Sequence, residues 1–484
     1  MAALVGATTE GADVEITGVS LSTSRVSPGD LYAALAGTRV HGARFAADAV
    51  AAGARAILTD AEGAQLAAGL APIIEVAEPR KVLGAVAAEI YRHPSDRLRM
   101  LGVTGTQGKT TTTRLLEAAL GVIGAKAGVI GTVGTRINGV PLRTALTTPE
   151  APDLQGLLAM MCEAEVEACA MEVSSHALVL GRVDGVVFDV AAFTNLGRDH
   201  LDFHATVEEY FEAKADLFTP KRSRRGLVNI DDEHGRLLIE RGGIPMNTFS
   251  TEGAEATWQA VDVSEDAQGS IFRVLGPDGL DVITSINIPG IYNVSNALCA
   301  FAMGVEAGFA PADLAVGLAS VSGVPGRLER VRGGGPGAPA VYVDYAHKPD
   351  AVSAALRALR PLTDGSLVIV LGAGGDRDSG KRALMGAAAA ELADRVIVTD
   401  DNPRSEDPAL IREAVAAGAR AVGAAQVQQI ADRREAIMEA ISTARTGDVV
   451  VIAGKGHETG QEIAGIVHPF DDGDEARAAL EMIE

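Results

Sequence analysis

At 484 residues the chain is too long for one ordinary compact core, and its length leads us to expect about three domains. Hydrophobic residues make up 47% and charged residues 22%, the balance of a globular protein, and no apolar run is long enough to span a bilayer, so membrane insertion is not expected. Against 42 basic residues stand 64 acidic ones; the formal charge of −22 repels nucleic acid and leaves any polyanionic substrate to be captured by local sites.

The opening run MAALVGATTEGADVE has neither the basic start nor the sustained apolar stretch of a secretion signal, so a cytoplasmic protein is expected. Residues 1–97 alternate short β-rich runs (VEITGVSL, GDLYAAL, RAILTD, PIIEVA) with Ala-rich helical stretches such as GARFAADAVAAGA, which reads as a small α/β domain. In residues 98–326, MLGVTG runs into a glycine loop and then the helix-forming TTTRLLEAALGVIG, and ACAMEV, DVAAFTNL and GLVNI supply further strands. GVPGRLERV and the glycine-rich RGGGPGAP punctuate the chain, and residues 327–484 restart the alternation. There AVYVDYA, SLVIVLGAG, DRVIVTDDN and GDVVVIAGKG, separated by helices, predict a parallel sheet covered on both faces. Ligands of such sheets dock outside the carboxyl ends of the strands, which here carry DYAHKP, GAGGDRD, TDDNPR and GKGHE. Cys162, Cys169 and Cys299 have no metal-ligand spacing and read as buried reduced thiols.

Gly105, Thr106, Gln107, Gly108, Lys109, Thr110 and Thr111 lie between a strand and a helix, where backbone N–H groups and a helix N-terminus can bind phosphate oxygens. Lys109 would neutralise charge and Thr110 would offer a hydroxyl to Mg²⁺. The loop departs from the strict phosphate-loop spelling, because Val103 stands five positions before Gly108. Glu172 and His200 are each expected to end a strand, and a carboxylate, an imidazole and a loop hydroxyl suit a site holding Mg²⁺ against nucleotide phosphates. Taken alone, His200 also reads as a structural histidine and Lys214 as a surface lysine. Asn293 and Asn296 read as helix caps, residues 21–25 as a strand end with a turn, 402–403 as a turn, and Gly454 as a strand terminus.

The shortened loop G-T-x-G-K-T-T is similar to that of the Mur ligases and their relatives, the folylpolyglutamate synthetases. The runs TTPE (147–150), MEVSSHAL (171–178), TNLGRDHLDFH (194–204), EAKADLF (212–218), IPGIYNVSNAL (288–298), VPGRLERV (324–332), VDYAHKPDA (343–351), GAGGDRDSGKR (372–382), DNPR (401–404) and GKGHE (454–458) resemble the tripeptide-forming branch of that family, in order and over nearly the whole chain. The resemblance implies three α/β domains: a UDP-sugar domain, a central mononucleotide-binding domain with a P-loop-type sheet, and a C-terminal doubly wound, Rossmann-like domain.

It further implies an ATP-dependent ligase of peptidoglycan precursor synthesis, monomeric, acting on small molecules alone. Its expected reaction adds meso-diaminopimelate to the D-glutamyl side-chain carboxylate of a UDP-muramoyl dipeptide through an acyl phosphate. By resemblance, Lys109, Glu172, His200 and Lys214 are catalytic; Thr110 and Glu172 serve one Mg²⁺, and His200 helps hold a second beside Lys214 carrying a CO₂-derived carbamate. The nucleotide contacts extend to Asn293, Asn296, Arg327 and Asp344. Ser22, Ser24, Thr38, Arg39 and Val40 are implied for the uridine end, and Thr147, Thr148, Ser174 and Arg182 for the muramoyl peptide. Arg377, Asp401, Asn402, Pro403, Arg404, Gly454 and Glu458 match the set that reads the diamino acid. If Arg404 is buried, lysine would leave its charge unpaired, and a preference above roughly a hundredfold for diaminopimelate is expected. Lysine or ornithine as the amino acid, a folylpolyglutamate-type ligase, and a nucleotide-dependent module without chemistry are the alternatives.

Overall fold

The computed structural model describes residues 1–484 except 198, 201, 202, 267, 336 and 484, so part of the 194–204 run lies outside the described residues. Two compact units divide the chain, Met1–Phe249 with Ala302–Ala310, and Ser250–Phe301 with Pro311–Glu484.

The first unit carries two sheets. Strands β1 (Thr8–Glu10), β2 (Gly18–Ser20), β3 (Asp30–Ala33), β4 (Ala56–Thr59) and β5 (Ile73–Glu75) are ordered β1-β5-β4-β3-β2, with β1 antiparallel and the others parallel. Side chains alternate across the pleat: Leu31, Ala33 and Leu58 pack on Leu83, Val86 and Ala87 of the helix Pro79–Ile90. Tyr32 and Ile57 face Ala43, Ala46 and Ala49 on the other side. Both faces are covered, which is why these strands read as continuous apolar runs.

The second sheet contains β6 (Arg99–Thr104), β7 (Ala127–Gly131), β8 (Gly134–Ile137), β9 (Val140–Leu142), β10 (Ala168–Glu172), β11 (Phe188–Phe193), β12 (Ser223–Asn229) and β13 (Met246–Ser250). Their order is β13-β12-β11-β6-β10-β7-β8-β9, parallel from β13 to β7 and antiparallel beyond. Register sets the functional edge: Glu172 pairs with Val103, and Thr104 with Phe193, so the phosphate loop and Glu172 leave the sheet side by side.

In the second unit β14 (Trp258–Asp266), β15 (Gly269–Leu275) and β16 (Asp281–Ile286) form an antiparallel meander, with Trp258 buried edge-on to Phe301. The C-terminal sheet has β17 (Glu329–Val331), β18 (Ala340–Asp344), β19 (Leu367–Leu371), β20 (Arg395–Val398), β21 (Gln426–Gln429) and β22 (Val449–Ala453) in the order β17-β18-β22-β19-β20-β21. All are parallel except β17, so the four strands expected from sequence are present and two edge strands join them. Val343, Val370, Ile397 and Ile452 pack against Ile437, Ala440 and Ile441 of the helix Arg433–Thr443. Each such fully buried aliphatic side chain contributes about 1.5–3 kcal/mol relative to exposure. A hairpin, β23 (Gly460–Ile463) and β24 (Ile466–Pro469), follows. No helix among the described residues is long and apolar enough to cross a membrane. The three cysteines are buried and form no disulfide.

Two local expectations are corrected. His200 does not end a strand: β11 stops at Phe193, and His200 lies in the irregular segment beyond it with φ 54°. Asn293 and Asn296 are not caps but lie within the helix Ile291–Glu306, where Asn293 Nδ2 donates to Pro289 O at 2.8 Å and Asn296 Nδ2 to Asn293 Oδ1 at 3.3 Å.

Candidate active site

The loop 105–108 joins β6 to the helix Lys109–Val122, whose first turn contains no acidic residue to oppose an anion at its N-terminus. Gly105 has φ 147°, and a Cβ there would lie 1.9 Å from Thr194 Oγ1, so only glycine lets the loop meet the 194–197 segment. That segment fixes the loop: Thr106 N donates to Asn195 O and Gln107 N to Asn195 Oδ1, both at 2.9 Å, and Thr194 Oγ1 donates to Gln107 O at 2.6 Å. Lys109 Nζ folds back on its own loop, donating to Gly105 O at 2.7 Å and Thr106 O at 3.1 Å.

Lys214, on the helix Val207–Ala215, is 1% exposed and donates to the same Gly105 carbonyl at 2.8 Å. The surface-lysine alternative is therefore wrong: the periodicity of EEYFEAKADLF shows a helix but not which face is covered. One turn earlier, buried Tyr210 lies under the Lys214 ammonium at 4.5 Å and hydrogen-bonds Thr106 Oγ1 at 3.1 Å; burial pushes its phenol up. His200 is partly exposed, pairs with Asp199 at 3.1 Å and meets His176 edge-on at 4.8 Å between ring centroids.

Glu172, 1% exposed, is the node of the edge. Thr132 N donates to its Oε1 at 2.8 Å and Thr132 Oγ1 to its Oε2 at 3.0 Å, while Thr147 Oγ1 lies 3.1 Å from Thr132 Oγ1. Thr148 Oγ1 donates to Glu172 O at 2.8 Å and accepts from Ser174 N at 3.2 Å. Arg182 Nε donates to Glu150 Oε1 at 2.8 Å, and Arg80 Nη1 reaches the other oxygen at 3.1 Å. Thr147, Thr148, Ser174 and Arg182 are thus brought together with Glu172. Thr132, Glu150, Asn195 and Tyr210 were not singled out from sequence. Glu150 and Asn195 stand inside motifs already quoted, and Thr132 follows a parallel strand end, the one signal that pointed to it.

At the N-terminal sheet Ser22 Oγ and Ser24 Oγ are 2.9 Å apart. Thr38, Arg39 and Val40 form an exposed turn closed by the bridge between Ala36 and His41, and no hydrogen bond joins this turn to Ser22 or Ser24 among the described residues.

The second unit gathers its residues at the carboxyl ends of β18, β19, β20 and β22. Asp344 ends β18, accepts from Leu328 N at 2.7 Å and Ala346 N at 2.8 Å, and burial pushes its carboxyl up. Arg327 stacks on Tyr345 at 4.6 Å. Beyond β20, Asn402 Nδ2 donates to Glu458 Oε2 at 2.9 Å. Gly454, φ 117°, passes Asp401 so closely that a Cβ would meet Oδ2 at 2.8 Å. The backbone N–H and C=O of Arg404 pair with Glu462 and Ala464 of the hairpin, and Pro403 lies buried between Asn402 and this pairing. Arg404 is partly exposed, its guanidinium donating to Gly375 O at 2.6 Å through Nη1 and to Glu462 Oε2 at 3.2 Å through Nε. The expectation of a buried guanidinium that only the substrate's carboxylate could pair is corrected: Glu462 already answers it. Arg377 is exposed and stands apart from the bonds between Asn402 and Glu458.

A strand, glycine loop and helix with a buried carboxylate and two lysines at one sheet edge have the form of an α/β nucleotide-binding site. The Mur ligase middle domain matches residues 103–304, the Mur ligase glutamate ligase domain 326–456, and the Mur ligase family catalytic domain 15–91. The chain is 50% identical to a UDP-N-acetylmuramoyl-L-alanyl-D-glutamate--2,6-diaminopimelate ligase of Streptomyces avermitilis, covering 100% of this chain and 96% of that one. It is 47% identical to a UDP-N-acetylmuramyl-tripeptide synthetase of Leifsonia xyli, covering 96% and 92%. A solved UDP-N-acetylmuramoyl-L-alanyl-D-glutamate--2,6-diaminopimelate ligase superposes with a TM-score of 0.69 at 35% identity over 96% of this chain and 95% of that one. The chain belongs to the Mur ligase family.

Proposed function

We propose that the chain is the ATP-dependent ligase that joins meso-diaminopimelate to the D-glutamyl side-chain carboxylate of UDP-N-acetylmuramoyl-L-alanyl-D-glutamate. In this reading it works as a cytoplasmic monomer with domains 1–97, 98–326 and 327–484, and serves wall synthesis, cell shape and division. The observation that carries it is the Glu172 node beside the phosphate loop: Glu172 accepts from Thr132 and Thr148, and Thr147 and Ser174 join it through hydrogen bonds to those two threonines. Phosphoryl donor and acceptor carboxylate would meet at this edge, and relatives matching 97–100% of the chain carry the diaminopimelate ligase name.

The phosphate loop holds the ATP phosphates with its N–H groups, and Lys109 leaves its loop carbonyls to face the transferring phosphoryl group. Thr147, Thr148, Ser174 and Arg182 hold the dipeptide so that its carboxylate attacks in line. The resulting acyl phosphate is attacked by the amine of the diamino acid, the tetrahedral intermediate collapses, and phosphate leaves. The donor set fits Mg²⁺: Thr110 and Glu172 offer oxygens, and among the described residues no group of three or more His, Cys, Asp or Glu is gathered, so phosphate and water would supply the remaining ligands. Bound there, the ion would neutralise phosphate charge; His200 would serve a second one.

A carbamate on Lys214 also fits. Two ammonium groups on the single Gly105 carbonyl repel one another, and a carbamylated Nζ keeps one N–H for that bond while removing the second positive charge. Asn293, Asn296, Arg327 and Asp344 would complete the nucleotide site, Ser22, Ser24 and the turn 38–40 the uridine site, and Arg377, residues 401–404, Gly454 and Glu458 the diamino-acid site. Phosphate release with ATP, the UDP-linked dipeptide and, in turn, diaminopimelate, lysine, ornithine and glutamate tests the reading. Release that depends on diaminopimelate supports it; release with glutamate alone would replace it with a folylpolyglutamate-type reaction.

A further inference from the structure

Lys455, between Gly454 and Gly456 in the 454–458 run, is 0% exposed, yet it carries a charge that neither composition nor motif explains. Its Nζ donates to Asn402 Oδ1 and to Glu458 Oε2, both at 3.2 Å. Asp401 Oδ1 lies 3.6 Å away and, among the described residues, has no hydrogen-bond partner. Asn402 Oδ1 also accepts from Glu462 N at 2.9 Å, so the amide oxygen is held from two sides and its Nδ2 is turned onto Glu458. The nearby buried cation Arg433 bonds Asp472 through two hydrogen bonds of 2.7 Å and Ala453 O at 3.0 Å, and the charges of Asp401 and Glu458 also favour its charged form.

We propose that Lys455 is a positioning residue of the diamino-acid pocket: its buried ammonium holds the Glu458 carboxylate and the Asn402 amide in the orientation that receives the ammonium at the far end of the incoming amino acid. The inference rests on the reading of 401–404, Gly454 and Glu458 given above. Charge supports it. Asp401, Glu458 and Asp472 bring three negative charges and Lys455 and Arg433 return two, so the cluster is left one positive charge short. A single substrate ammonium completes it. Without Lys455 the buried Asp401 and the partly exposed Glu458 would lose the cation they share, and the remaining like charges favour protonating one carboxylate or turning it away. Lys455 itself lies behind Glu458 and acts through it rather than on the reacting carbonyl.

Steady-state kinetics of the full chain separate this role from a purely structural one, with wild type, Lys455→Met, Glu458→Gln and the double variant each titrated with diaminopimelate, ATP and the UDP-linked dipeptide. Lys455→Met is expected to raise KM for diaminopimelate about tenfold or more, the scale of one charge-assisted hydrogen bond, with kcat and the other two KM values within about twofold. The double variant is expected to be no worse than Glu458→Gln, because the lysine acts through that carboxylate. Three KM values rising together, an unchanged KM for diaminopimelate, or a double variant carrying the product of both single effects would overturn the proposal. So would failure of both lysine variants to fold while Glu458→Gln folds, which assigns Lys455 to stability. Wild type that releases no phosphate with diaminopimelate refutes the site assignment and this inference with it; active wild type beside an unaltered Lys455→Met refutes the inference alone.

Discussion

Replacing Arg404 by alanine removes a guanidinium that the structure anchors on Gly375 and Glu462, while keeping the Cβ and the backbone pairing with the hairpin. In the reading above this group binds the distal carboxylate of diaminopimelate, which lysine lacks. A charge-assisted hydrogen bond contributes about 1.5–3 kcal/mol. Glu462 already accepts from Nε at 3.2 Å, so the substrate carboxylate shares or replaces an existing partner. The net gain should then fall to about 1–2 kcal/mol, a five- to thirtyfold effect on kcat/KM. Arg404→Ala should lower kcat/KM for diaminopimelate by that factor and leave lysine within about twofold, closing most of the gap between them. Competition of the two amino acids at equal concentration, with products resolved by mass, measures both. Equal losses for the two substrates, or a diaminopimelate value within twofold of wild type, would refute the role given to Arg404.

Lys109→Ala should reduce ligation by on the order of a hundredfold or more with the melting temperature largely preserved, because its charge acts on phosphates rather than in a core; near-normal turnover in the purified variant would remove the phosphate role. Lys214→Ala should be inactive, and formate should partly restore it by supplying anionic oxygen in the vacated space; a variant as active as wild type ends the carbamate reading. Burial pushes the Cys169 thiol from its ordinary 9.0 up to about 12. The unfolded chain therefore loses that proton first, and stability should fall as pH rises from about 9 towards 12, while Cys169→Ala should show a shallower decline in urea melts across that window. Equal slopes for the two proteins would contradict the shift.

Parallel strands and the residues at their carboxyl ends were legible because both rest on local pattern. Continuous apolar runs mark the strands; Glu172 ends one, and Lys109 and Asp401 come within a short loop of two others. What failed depended on distance in sequence. His200 was set at a strand end because an apolar run precedes it, yet β11 stops at Phe193 and the chain turns with a positive φ. Lys214 looked like a surface lysine because nothing local reveals the Gly105 carbonyl 109 residues earlier that receives it. Asn293 suits a cap by composition, but it lies inside the helix and its amide bonds back to Pro289 just before it. Arg404 carries a charge that sequence pairs with a substrate, whereas the partner comes from a hairpin 58 residues on. Lys455 gives no local sign of its role, since burial of a charge cannot be read from the run GKGHE.

The central claim is that one oxygen of the D-glutamyl side-chain carboxylate takes phosphate from ATP and departs with it when the amide forms. Both oxygens of that carboxylate can be labelled with ¹⁸O in the UDP-linked dipeptide, and wild type supplied with ATP and diaminopimelate. The account predicts one labelled oxygen in each inorganic phosphate, the other in the new amide carbonyl, and one ADP per tripeptide. Unlabelled phosphate, or ATP turnover that needs no dipeptide, would contradict it.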